Sequence, residues 1–105
     1  MAVELVIAPE AESDIEEAYL WYEDRRVGLG EEFLGSVDAC VESIRRRPQM
    51  CPIIYEGYRR SLIRRFPYAV FYEHSEATVT IYAVFRTSRD PDKWRRRDPA
   101  LPSER

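Results

Sequence analysis

The stretch that decides the fold is Arg64-Arg65-Phe66-Pro67-Tyr68-Ala69-Val70-Phe71-Tyr72-Glu73-His74-Ser75-Glu76-Ala77-Thr78-Val79-Thr80-Ile81-Tyr82-Ala83-Val84-Phe85-Arg86. It holds two runs rich in aromatic and β-branched residues, Tyr68–Glu73 and Thr78–Arg86, joined by the polar His74-Ser75-Glu76, which is the pattern of a β-hairpin. Strict alternation puts Val79, Ile81, Ala83 and Phe85 on one side of the second run and Thr80, Tyr82, Val84 and Arg86 on the other. The first run sets Tyr68, Val70 and Tyr72 against Ala69 and Phe71. Neither strand has a plainly polar side. An antiparallel sheet with helices on one face usually turns polar residues outward on the other, so two apolar faces call for two covers, the second being the C-terminal segment or another chain.

Upstream, Pro67 separates the hairpin from a further β-like run, Tyr58–Arg65, and Glu56-Gly57 reads as a turn after a short strand, Ile53-Ile54-Tyr55. Two helices come before that. The first spans about 10–26: Pro9 suits its first turn, Glu10, Glu12 and Asp14 load its positive end, and Ala11, Ile15, Ala18, Tyr19 and Tyr22 form its apolar stripe. The second, about 30–47, repeats the same spacing with Phe33, Val37, Cys40, Val41 and Ile44. It ends in Arg45-Arg46-Arg47 before Pro48, a cluster that suits the negative pole of a helix. Gly28 and Gly30 mark a tight link, so the pair forms an αα-hairpin. At the start of the chain, Val3, Leu5 and Ile7 alternate as a strand. A strand, two helices and then hairpin-connected strands make an α+β fold, with the two-helix hairpin packed on one face of a mainly antiparallel sheet.

With 105 residues the chain holds one domain, read here as residues 1–97, with 98–105 expected to be a disordered tail. Apolar residues make up 45% and charged residues 33%, which excludes disordered, collagen-like and low-complexity classes. No run is long enough to span a membrane, and the start lacks the basic and small-residue signature of a secretion signal. The chain is therefore expected to be cytoplasmic. Cys40 and Cys51 match no zinc or redox spacing and read as buried thiols. The net charge of −3 is unevenly spread: residues 1–52 carry 5 basic and 12 acidic side chains, and residues 53–105 carry 11 and 7, giving −7 against +4. All but one of the 16 basic residues are Arg, a bias that suits bidentate contact with carboxylate or phosphate.

The Pro-Glu-Ala helix start with Asp14-Ile15, the pair Trp21-Tyr22, Phe33, the strand Phe66-Pro67-Tyr68-Ala69-Val70-Phe71-Tyr72, and Arg89-Asp90-Pro91 with Trp94 together resemble the RelE/ParE superfamily of bacterial type II toxins. The likeness covers about residues 3–97 and points to its ParE side. It implies a RelE/ParE toxin-like fold, a cognate antitoxin whose C-terminal segment wraps around the toxin as a hetero-oligomer, no cofactor, and DNA gyrase as target. Where ParE-like sequences often carry His, three residues before the Arg of Arg-Asp-Pro, this chain has Arg86.

On this resemblance the residues expected to meet the target or the antitoxin are Arg60, Arg64, Tyr82, Arg86, Arg89 and Trp94. In the ribonuclease branch, acting on mRNA at the ribosome, Arg64 and Arg86 map approximately onto the strand arginines that support cleavage. Such cleavage also needs a base and an acid. The single His, His74, sits in an expected turn, and one His with two separated Cys cannot furnish a metal site. Three readings follow: a gyrase inhibitor acting by protein–protein binding, an mRNA endonuclease, and a toxin relic that only binds its antitoxin.

Overall fold

The computed structural model describes residues 3–87. Arg89, Trp94 and the tail expected over 98–105 lie outside the described residues. The elements are β1 (Glu4–Ile7), α1 (Pro9–Arg25), α2 (Leu29–Arg46), β2 (Ile53–Tyr55), β3 (Tyr58–Leu62), β4 (Tyr68–Ser75) and β5 (Thr78–Arg86). The five strands form one sheet in the order β1-β5-β4-β3-β2, with β1 parallel to β5 and the remaining pairs antiparallel.

Local chemistry sets the helix ends. Pro9 opens α1 with Glu10 and Glu12 in its first turn, and α1 stops where Arg26 turns extended. The link to α2 is tied by one carboxylate: Glu23 accepts the N–H of Gly28 through Oε2 and that of Gly30 through Oε1, both at 2.9 Å. This satisfies one donor at the link and one of the N–H groups that the start of a helix leaves without an intrahelical acceptor. Gly28, at φ 93°, holds a backbone conformation open to glycine at little cost.

Both helices lie on the same face of the sheet. The main core joins Ala11, Ala18 and Tyr22 of α1 and Phe33, Val37, Cys40 and Ile44 of α2 to Tyr68, Val70, Tyr72, Val79, Ile81 and Val84 of the strands. Its centre is aromatic, with the rings of Tyr22, Phe33, Phe66 and Tyr68 meeting at centroid distances of 4.9 to 6.1 Å, mostly edge to face as ring quadrupoles favour. The Tyr72 hydroxyl donates to the Pro48 carbonyl at 2.9 Å and anchors the passage from α2 to β2. Burial pushes that phenol far above its usual pKa.

Three expectations from simple alternation are corrected. Phe71 pairs with Ala83 but Tyr72 with Ile81, so Tyr82 is an extra residue, a β-bulge. The bulge exchanges the faces of β5. Val79, Ile81 and Val84 point to the helices, whereas Ala83 and Phe85 join Tyr58, Ala69 and Phe71 on the opposite face. The second correction is that β3 ends at Leu62, because Arg64 and Arg65 form a turn in which Arg65 takes φ 73° and the Ile63 N–H donates to the Tyr68 carbonyl. Third, the β4–β5 turn is Glu76-Ala77, so His74 and Ser75 are strand residues.

Candidate functional site

Two surfaces gather the side chains singled out by the sequence. The first is the sheet face away from the helices. Its core is Tyr58, Ala69, Phe71, Ala83 and Phe85, with Tyr55 and Tyr82 packed at its side. Tyr82, thrown outward by the bulge, stacks on Tyr58 with centroids 5.0 Å apart and planes 6° from parallel. Its hydroxyl donates to Glu73 Oε1 at 3.3 Å. Arg60 stands opposite Phe71 in the register and is exposed, and Leu62 beyond it is 63% exposed. On this face β3 thus offers a guanidinium beside bare hydrocarbon. Arg59, one residue away, points to the other side and ties down the loop after α2 by donating to the Cys51 and Gln49 carbonyls.

The second surface is a groove of about 620 Å³ between α1 and the end of β5, lined by Asp14, Glu17, Trp21, Tyr68, Val84 and Arg86 among others. Here the sequence reading is corrected again: Arg86 does not share a face with Tyr82. It lies on the helix side, its guanidinium carbon 5.7 Å from the centroid of the Tyr68 ring. Burial raises the Tyr22 phenol above its ordinary pKa, and the neighbouring Arg86 pulls it part of the way back. Across the groove Asp14 Oδ2 accepts the Val84 N–H at 3.0 Å. Trp21 is 45% exposed, lines the groove and carries the Arg25 guanidinium 3.9 Å from its ring centroid.

Arg64 is exposed in the β3–β4 turn. That turn and Arg86 share one end of the sheet, since Tyr68 pairs with Arg86 and also accepts the Ile63 N–H. Its neighbour Arg65 is the one that reaches the helices, bonding Glu32 at 2.9 Å. His74 is at the far end of β4, with Nε2 2.9 Å from the Glu76 carbonyl. Arg89 and Trp94 lie outside the described residues. Sequence reasoning missed Tyr58 and Asp14 as builders of these surfaces. Tyr58 was legible as the start of a strand, but its stacking partner depends on the bulge. Among the described residues no group of three or more His, Cys, Asp or Glu could hold a metal ion, and no helix is long and apolar enough to cross a membrane.

Tyr, Trp, Phe and Arg around shallow concavities are the side chains that protein–protein interfaces favour. The fold and these surfaces therefore define a small α+β domain furnished for recognition. Residues 5–91 match the family described as ParE toxin of type II toxin-antitoxin system, parDE. The chain belongs to that family. A solved structure described as the chromosomal ParDE TA system from P. aeruginosa matches with a TM-score of 0.60 at 20% identity, over 81% of this chain and 96% of the matched one. That likeness confirms the fold. No curated protein matches the chain.

Proposed function

We propose that the protein is a cytoplasmic ParE-like toxin that inhibits DNA gyrase by protein–protein binding and is neutralised by a cognate antitoxin. The family match over residues 5–91 carries this reading. The geometry is consistent with a division of labour. Tyr82, Arg60 and Arg64 offer an antitoxin segment apolar anchors with guanidinium groups for its carboxylates, a combination in which burial supplies affinity and charge supplies register. Arg86, in the α1–β5 groove, leads in sequence to Arg89 and Trp94, and these three form the target-binding set.

Binding of this kind needs no acid–base pair. The endonuclease reading draws on Arg64 and Arg86 at one end of the sheet, but His74 stands at the other. The test is to express the full chain with and without the product of the adjacent reading frame, and to score DNA supercoiling by gyrase beside the integrity of ribosome-bound mRNA. Growth arrest relieved by the neighbouring product, altered gyrase supercoiling or cleavage and intact mRNA are the expected results. Codon-dependent mRNA cuts that vanish in Arg86→Ala overturn the reading in favour of the enzyme. Antitoxin binding without growth arrest overturns it in favour of a relic.

A further inference from the structure

At the carboxyl end of α2, away from both surfaces described above, the chain forms an open cavity of about 510 Å³ whose polar wall is Arg45, Arg46, Arg47, Gln49 and His74, with Val3 and Met50 on its apolar side. Among the described residues no carboxylate lines it. One guanidinium more than offsets the roughly half charge of a helix C-terminus, and three stand here. Arg45 meets Glu42 at 3.4 Å in an exposed contact, yet its Nε is buried with no hydrogen-bond partner. Arg46 and Arg47 make no ion pair among the described residues. A buried donor left unmade is costly and calls for an explanation; the ends of the three guanidinium groups are what the cavity can offer a ligand.

We propose that this cavity is a phosphate site that takes the sugar-phosphate backbone of a nucleic acid. The wall is made almost wholly of donors: three guanidinium groups and the Gln49 amide, with His74 Nε2–H already spent on the Glu76 carbonyl. A carboxylate has two oxygens in one plane. The tetrahedral oxygens of a phosphate accept from several directions at once, and Arg forks match them in pairs. The cavity is open, and Arg46, Arg47, Gln49 and Met50 are exposed. It thus suits a phosphate carried on a polymer running past the surface better than a small anion needing an enclosed cradle. The inference does not rest on the gyrase reading, because nucleic-acid binding is measured without gyrase.

The experiment is fluorescence anisotropy of a labelled DNA duplex with the full chain, over a series of salt concentrations. Wild type is compared with Arg46→Ala/Arg47→Ala and with Arg26→Gln/Arg65→Gln, which removes the same charge from the ion pairs of Glu32. Each lost phosphate contact lowers the slope of log K against log salt by about 0.9. The α2 variant should therefore bind more weakly and with a slope shallower by about 2, with helix content by circular dichroism unchanged, while the control variant stays near wild type. Inorganic phosphate should displace the duplex better than acetate at equal ionic strength. Equal slopes for wild type and the α2 variant, or an equal loss in the control, overturn the proposal. Displacement by poly-glutamate as effective as that by phosphate also overturns it, in favour of an acidic protein partner.

Discussion

The carboxylate of Asp14 accepts the backbone N–H of Val84 at 3.0 Å. The β1 strand pairs with β5 only as far as Ile81, and the last such bond is the Ala8 N–H to the Ile81 carbonyl. Beyond that point the β5 edge has no strand beside it among the described residues, and α1 supplies the missing acceptor. The bond thus closes the floor of the groove in which Arg86 sits. Asp14→Ala should cost about 1.5–3 kcal/mol, the range for a hydrogen bond to a charged group, and Asp14→Asn, which keeps an acceptor, should cost less. Urea denaturation checks both.

A Cβ placed on Gly30 meets Tyr19 Cδ1 at 2.7 Å, Cε1 at 2.8 Å and the Tyr19 carbonyl oxygen at 2.8 Å, whereas one on Gly35 meets nothing within 4 Å. The two glycines of α2 therefore respond in opposite directions. Gly30→Ala should destabilise by about 1–3 kcal/mol, as overpacking does, because a backbone oxygen cannot step aside. Gly35→Ala should stabilise by up to about 1 kcal/mol through helix propensity. Thermal melts of the two variants, one shifted down and the other up, are the measurement.

Arg86→Ala leaves the aromatic core in place and removes the cation from the rings of Tyr22 and Tyr68. Toxin binding to its target should fall about tenfold to thirtyfold, the size of a single interface hot spot, with the urea midpoint little changed. Under the proposed function, titrating gyrase inhibition with wild type and variant reads the difference, and inhibition at unchanged concentration places Arg86 outside the interface.

The Glu32 carboxyl is held below its ordinary pKa, chiefly by its hydrogen bond to Arg65 and further by Arg26. A depressed carboxylate pKa gives stability that is present above the unfolded value, about 4.3, and is lost as the pH falls through the folded one. Glu32→Gln should therefore melt slightly below wild type at neutral pH, and the gap should close under acid conditions. Both partners are exposed, so added salt should narrow the gap at neutral pH as well.

Cys40 is buried, with its thiol 3.3 Å from the Ser61 hydroxyl, and burial pushes its pKa up. Cys51 is only half-buried. Since the thiolate is the reactive form, a thiol-specific reagent should modify Cys51 quickly in the native protein and Cys40 only on unfolding. Mass spectrometry of a timed reaction separates the two.

The helices were legible because their signals are local. The stripe from Phe33 to Ile44 is the buried face of α2, and Ala11, Ala18 and Tyr22 are buried as their spacing implies. The apolar second face of the sheet was legible too. What alternation alone could not place was the bulge at Tyr82, which is decided by the pairing of β5 with β4 and not by any residue in β5. That single extra residue sends Arg86 to the helix side, and with it the composition of the groove. The early end of β3 has the same kind of cause: nothing in Arg64-Arg65 marks a turn by composition, and the positive φ of Arg65 is held by the Ile63–Tyr68 bond and by Glu32.

The strand order has a bearing on when a new copy of the protein acquires its shape. Because Glu4–Ile7 pairs with Thr78–Ile81, β1 leaves the ribosome well before its partner β5 and waits for it, and the α1 contact at Val84 waits with it. Pairings between distant parts of a chain form slowly, since the ordering of everything between them comes first. A ribosome that has delivered both helices has still not delivered the residues that complete the groove. Synthesis of the chain is accordingly separated in time from the appearance of its binding surfaces, and a chain cut short before β5 carries neither.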